Sequence, residues 1–310
     1  MRESSSRYAL LSNASFSVRL HRRSALVVSL GLLSLLALAL YSLTLGDYGL
    51  SVEQSLRRLM GDGGPTDDFL GVYFVQSVRL PRVIAAVAVG CSLGVAGAIF
   101  QTLSGNPLGS PDIVGLSTGC ATGALVAIIV MGANPATTSA GALIGGLASG
   151  ALIVACAGGV RVTGVRVVLV GIGCSAALRA LLIVKAPLEA AQRAQLWSAG
   201  SFAGVTMPRV SVLVVVLLAV SLPLAACTAP LGLLAMGDDV ATGLGVRVRR
   251  LRVSLIATAM VLVSLATAVA GPVAFVALSA PHVARRLCGG GGVGLASSAV
   301  LGGLLVLVSD

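Results

Sequence analysis

Few residues in this 310-residue chain are equipped to do chemistry. Two histidines, His21 and His282, stand far apart, and six cysteines, Cys91, Cys120, Cys156, Cys174, Cys227 and Cys288, are scattered through or beside apolar stretches. None of them forms a CxxC pair or has a His partner at zinc spacing, so they read as small buried hydrophobes, and no metal site is expected. Serines such as Ser92 and Ser175 have no acid or base near them, and in an apolar helix a serine bonds a backbone carbonyl or a neighbouring helix instead. No acid, base and nucleophile set is visible, so the chain is not expected to be an enzyme. What remains is charge. Arg79 and Arg82 flank Pro81, and Asp238-Asp239 follow Gly237 and precede Arg247, Arg249, Arg250 and Arg252. Aspartates after a glycine suit the start of a short helix.

The elements that position these groups are membrane helices. Hydrophobic residues make up 56% of the chain and charged residues 10%, and the mean hydropathy is +1.01, which excludes an ordinary soluble domain. The formal charge of +10 comes from arginines lying between apolar spans, not from a continuous patch interleaved with aromatics, so nucleic acid is not an expected partner. The expected fold is all-α: a polytopic bundle with a tail over residues 1–24 and a single transmembrane domain over 25–310. Spans are predicted at Ser24–Leu45, Val83–Phe100, Ile113–Met131, Ala140–Val160, Val167–Val184, Val210–Cys227, Leu251–Ala270, Pro272–Cys288 and Val293–Val308, about nine in all. Gly46–Ser77 turns polar and reads as an external connection with a short surface helix near Ser51–Met60. The larger share of Lys and Arg falls on the tail's side, which predicts a cytoplasmic N-terminus in a cell (inner or plasma) membrane.

The stretch from Arg79 to Asp112 organises the rest. Pro81 suits a first helical turn, and the two arginines can hold their charges in the headgroup layer. Val83–Phe100 carries no charge, and Gly90, Gly94 and Gly97 make one close-packing face. Elsewhere Trp197 reads as an interface aromatic, Gly271-Pro272 as a break between helices, and His282 as a helix-end residue. After Pro230, Leu231, Leu233, Leu234 and Met236 can form an apolar stripe on a short helix that Gly237 breaks, with Asp238-Asp239 opening a second short helix ending near Gly243 and Gly245. Physics alone leaves two readings of this stretch: a plug for a groove in a soluble partner, or a solvated linker with a basic end. No Asp, Glu or His lies well inside a span to bind a coupling ion, so if the chain is a transporter its energy is expected from another subunit. The alternatives are an ion-coupled secondary transporter or channel, and a non-functional truncated remnant.

Several motifs carry a resemblance. Arg79-Leu-Pro-Arg82, the Gly/Ala-rich span, Gln101, Asn106-Pro107-Leu108 and Pro111-Asp112 followed by Gly115 and Ser117 resemble the FecCD family, the permeases of ABC importers for iron-siderophores, haem and vitamin B12. The segment LGLLAMGDDVATGLGV, including Ala235, resembles the family's coupling loop, here 231–250. Trp197 to Gly204 resembles its WxxGSxxG segment, and Gly271-Pro272 through Phe275 to Pro281-His282 and Arg285 resembles GPIxFVGLxxPHxxR. The resemblance implies a permease that takes up a ferric-siderophore or related chelate by alternating access. Its expected partners are ABC ATPase subunits holding ATP and Mg in the cytoplasm, an extracytoplasmic solute-binding protein, a second permease copy or paralogue, and membrane lipid. It assigns binding-protein contact to Arg79, with Arg82 the weaker candidate, and a cytoplasmic gate to Val162-Thr163-Gly164-Val165. No cofactor is expected in this chain. The resemblance also implies a tenth helix, so the chain is expected to stop one helix short and to be less stable than a completed version.

Overall fold

Residues Leu80–Ser104 hold three glycines and a preponderance of Ala, Val and Leu, and they form the helix against which the others lean. A computed structural model describes residues 8–13, 16–46, 49–60, 69–131, 134–156, 192, 197, 199–289 and 292–310. In chain order they comprise strands β1 (Tyr8–Asn13) and β2 (Phe16–His21), then helices α1 (Arg22–Ser42), α2 (Val52–Leu59), α3 (Phe69–Tyr73) and α4 (Leu80–Ser104). Next come α5 (Pro111–Val114), α6 (Leu116–Met131), α7 (Pro135–Cys156) and α8 (Met207–Leu234), and finally α9 (Asp238–Gly243), α10 (Val248–Ala270), α11 (Val276–Leu287) and α12 (Leu295–Ser309). A π-helical stretch, Phe74–Arg79, joins α3 to α4. The strands form an antiparallel hairpin, with Tyr8 opposite His21, inside the predicted tail. All other regular structure among the described residues is helical.

Four helical stretches among the described residues are long and apolar enough to cross a membrane: Arg22–Ser42, Leu70–Ser104, Met207–Leu234 and Val248–Ala270. The predicted spans match α1, α4, α7, α8, α10 and α12, and the surface helix is α2, closed by a capping box in which Ser51 Oγ accepts from Gln54 N at 3.2 Å and Gln54 Oε1 accepts from Ser51 N at 3.0 Å. The differences lie at breaks. The third span is interrupted at Gly115, whose φ of 98° separates α5 from α6. The eighth begins only at Val276, after an irregular stretch that ends on Phe275 at φ 66°. The sixth runs on to Leu234 through Pro223 and Pro230. The fifth, Val167–Val184, lies outside the described residues.

Burial ranks the helices. In the most apolar window of Leu70–Ser104, 78% of residues are buried, against 6% in α1, so α4 is the axis and α1 the rim. Lipid offers no hydrophobic drive for helices to associate, so contact depends on close backbone approach. A Cβ at Gly90 would overlap the Gly302 carbonyl, one at Gly94 the Ser298 carbonyl, and one at Gly97 the Ala277 carbonyl. Thus α12 lies antiparallel along α4, from Ser298 beside Gly94 to Gly302 beside Gly90, and α11 meets α4 one turn further on. A second seam of the same kind joins α6 to α7, where Gly119 and Gly123 face Gly145 and Gly141.

Gly94→Leu places a branched side chain where a carbonyl already sits, and is expected to lower folding stability in detergent by about 1–3 kcal/mol. Gly232, where an added Cβ would have no neighbour within 4 Å, is the matched control: Gly232→Ala should leave the thermal transition unchanged or raise it. Equal transitions for Gly94→Leu and the parent chain would remove the seam as a source of stability.

Candidate functional site

The polar groups collect at two ends of the bundle. At one end the last turn of α1 meets the first turn of α4. Arg79 is only 8% exposed, and its Nη1 donates to the Leu43 carbonyl at 2.9 Å. The guanidinium thereby ties α1 to α4, and Gly46, at φ 133°, passes close over it. Arg82 has a 45% exposed side chain; its Nε donates to Asp310 Oδ2 at 2.8 Å, and its Nη2 donates to Asp310 Oδ1 at 3.0 Å. The two arginines thus differ in setting: Arg79 is enclosed, and Arg82 is the more exposed of the pair. A cavity of about 580 Å³ opens beside them, lined by Tyr41, Phe74, Arg79, Arg82, Leu307 and Asp310.

The same end carries the Trp197 and Gly271 segments, which the structure brings together. Ser201 N donates to the Ala270 carbonyl at 2.8 Å. Gly200 and Gly271, at φ 69° and 74°, pass so close that a Cβ on Gly200 would lie 2.9 Å from the Pro272 carbonyl and one on Gly271 2.7 Å from the Trp197 carbonyl. Two motifs well separated in sequence are thus halves of one interlock. A cavity of about 270 Å³ beside it is lined by Thr138, Ser139, Trp197, Ser201, Arg209 and Gly271, among others.

At the opposite end, Gln101 is buried at the close of α4. Its Nε2 donates to the Leu278 carbonyl at 3.0 Å, and its Oε1 accepts from Arg285 Nη2, so one side chain clasps two turns of α11. Pro281 is buried within α11, whereas His282 is exposed; no cluster of three or more His, Cys, Asp or Glu fit to hold a metal occurs among the described residues. Asn106 turns the chain after α4, its Oδ1 accepting from Leu108 N at 2.9 Å, and Pro107 follows in that turn. Pro111 opens α5. Just ahead of the third span, Asp112 accepts from Ser117 Oγ through one carboxylate oxygen, and its other oxygen is enclosed without a partner.

The corner after α8 departs from expectation. Leu231, Leu233 and Leu234 are not a separate short helix but the last turn of α8, because the helix continues past Pro230. Leu231 is fully buried, Leu234 nearly so and Leu233 partly, so the three leucines of the predicted stripe turn to the bundle while its fourth member, Met236, does not. The face turned outward is Ala235, Met236, Asp239, Val240 and Leu244, with Met236 70% exposed. Gly237 and Gly245, at φ 119° and 83°, bracket α9. Asp238 Oδ1 accepts from Arg252 Nη2 at 2.9 Å. Val240 and Leu244 escape a reading of the sequence because the closely spaced leucines before them make the stronger apolar signal, and those leucines lie on the buried face. Val162, Thr163, Gly164 and Val165 lie outside the described residues.

The separate tasks of the two arginines give a direct expectation. Arg79→Ala removes a hydrogen bond from a buried charged group and should cost about 1.5–3 kcal/mol of folding stability, whereas Arg82→Ala, at a half-exposed ion pair, should cost about 1 kcal/mol or less. Thermal unfolding of both variants in one detergent checks this; equal losses would contradict the assignment.

Comparison with known proteins adds to this geometry. The FepG permease protein of the ferric enterobactin transport system of Escherichia coli (strain K12) is 39% identical over 292 residues, covering 93% of this chain and 87% of that protein. The achromobactin transport system permease protein CbrC of Dickeya dadantii (strain 3937) is 36% identical over 289 residues, covering 91% and 82%. A solved structure described as an inward-facing conformation of a metal-chelate type ABC transporter superposes with a TM-score of 0.78 at 27% identity, covering 92% of this chain and 89% of that one. The model of the FecCD transport family matches residues 34–310, and with its bundle, seams and paired polar ends accounted for, the chain belongs to the FecCD transport family.

Proposed function

We propose that this chain is the permease subunit of an ABC importer for a ferric-siderophore or similar metal chelate. The observation that carries the reading is the division of labour between the two ends. One presents an accessible Arg82 beside a cavity and an interlocked loop; the other presents an apolar corner of Met236, Val240 and Leu244 around a six-residue helix. Between them runs a bundle whose described spans carry carboxylates only at their ends, Asp112 and Asp310. Such a bundle has no acidic group at mid-depth with which to couple transport to an ion gradient, which weighs against a secondary transporter.

In this reading the Arg82 end faces outward and meets acidic side chains of a solute-binding protein, for which partly shielded arginine and carboxylate make directional contacts. The corner faces the cytoplasm and seats in a groove of an ATPase subunit, which binds ATP and Mg and performs the hydrolysis. The N-terminal tail lies on the same side. A second permease copy or paralogue completes the translocation path, and the gate falls to residues 162–165. The chelate crosses by alternating access with no covalent step in this chain. The similarity to the ferric enterobactin and achromobactin permease proteins supports a siderophore as the cargo.

The reading is tested by isolating the chain from its native membrane in mild detergent and identifying its companions by mass spectrometry. A P-loop ATPase and a binding protein should accompany it, and Val240→Asp with Leu244→Asp should remove the ATPase while the permease stays in the membrane. A chain that arrives alone, or an ATPase retained after both substitutions, would overturn the assignment of the corner.

A further inference from the structure

The corner contains one contact that docking does not explain. Asp238 opens α9, directly after Gly237, and its carboxylate points back to Arg252, in the second turn of α10, instead of outward. The Arg252 side chain is 8% exposed and that of Asp238 50%, so a charge near the bundle is answered by one from the loop. Nε of Arg252 is buried without a hydrogen-bond partner, so among the described residues this guanidinium is held chiefly through Nη2 and Asp238. A buried cation with so little support is costly to hold unless its partner stays in place.

The surroundings show what this tie restrains. Gly237 and Gly245, at positive φ that favours glycine, set α9 off from the helices on either side. Ala241 is buried and seats α9 against its neighbours, while its carbonyl accepts from Val246 N at 3.0 Å and closes the helix's own C-terminal end. The ion pair adds a side-chain tie from the start of α9 to α10. On the far side, α10 is an uninterrupted helix of 23 residues, about 34 Å long, whose last residue gives its carbonyl to Ser201 in the Trp197–Gly271 interlock. A single rod thus has Asp238 attached near its start and the opposite mouth attached at its end.

We infer that Asp238 is a positioning residue whose ion pair with Arg252 fastens α9 to α10, so that displacement of the corner is passed along α10 to the interlock at the other face. The inference rests on the importer reading. The outward residues Met236, Val240 and Leu244 make the contact with the ATPase, and Asp238 converts that contact into movement of the permease. Docking and transmission are therefore separable functions of adjacent residues.

The test compares Asp238→Asn, Asp238→Glu and the exchanged pair Asp238→Arg with Arg252→Asp in the full complex, reading ATPase co-purification and uptake of radioactive iron supplied as ferric enterobactin. Asp238→Asn should retain the ATPase at the parent level and lose about tenfold or more in uptake, the factor expected when a charged hydrogen bond is removed. Asp238→Glu should keep most of the uptake, and the exchanged pair should recover part of what Asp238→Asn loses. Parent-level uptake by Asp238→Asn would overturn the inference. So would loss of the ATPase with Asp238→Asn, which would make Asp238 a docking residue, or an exchanged pair that inserts normally and transports no better than Asp238→Asn. A parent chain that brings down no ATPase overturns the importer reading itself, and this is recognisable because it occurs without any substitution.

Discussion

The structure depends on how closely backbones can approach along α4. Inside a bilayer the tails are as apolar as the side chains, so helices gain little by merely burying hydrophobes, and dispersion at short range with weak Cα–H···O contacts supplies the cohesion. Gly90, Gly94 and Gly97 let the carbonyls of Gly302, Ser298 and Ala277 reach the α4 backbone. With α12 and α11 fixed in this way, α1 can pack on α12 through Gly31 beside Val300, and α8 and α10 fill the remaining flanks through Leu213, Leu255, Leu262 and Val263, all buried.

Rigid seams in the middle allow polar work at the ends. Arg79 reaches a carbonyl freed at the close of α1 because the end of α1 and the start of α4 lie at the same level. Gln101 bridges Leu278 and Arg285 because the Gly97 contact brings α11 within a side chain's reach. Each is a buried polar group with its partner supplied, as the low dielectric demands. The charged and apolar groups left at the surface are Arg82 with Asp310 and the outward face of α9.

Much of this is legible in the sequence. The apolar runs locate the helices, and the small-residue spacing of α4 marks its packing face, because both follow from periodicity and from lipid as solvent. The division of roles within a motif is less legible. Arg79 and Arg82 are chemically equivalent and lie one helical turn apart, and only the position of α1 decides which is enclosed. Leu231 and Leu234 look like a docking stripe until Pro230 is seen to sit inside a continuing helix, which turns them inward and leaves Met236, Val240 and Leu244 outside. A proline ends a soluble helix far more often than one packed among neighbours that take up the freed carbonyl. The union of Trp197–Ser201 with Ala270–Pro272 is also hidden, since a contact between two loops leaves no periodic trace.

The central claim is that this bundle moves its cargo by movement imposed from outside it. The direct measurement is flux of a ferric-siderophore into proteoliposomes holding the purified permease with its companion subunits, compared with ATP supplied on the ATPase side and under an imposed proton or sodium gradient. The account predicts uptake with ATP that persists when ionophores collapse the gradients, and none from the permease alone. Gradient-driven uptake by the permease alone, abolished by ionophores and indifferent to ATP, would contradict it.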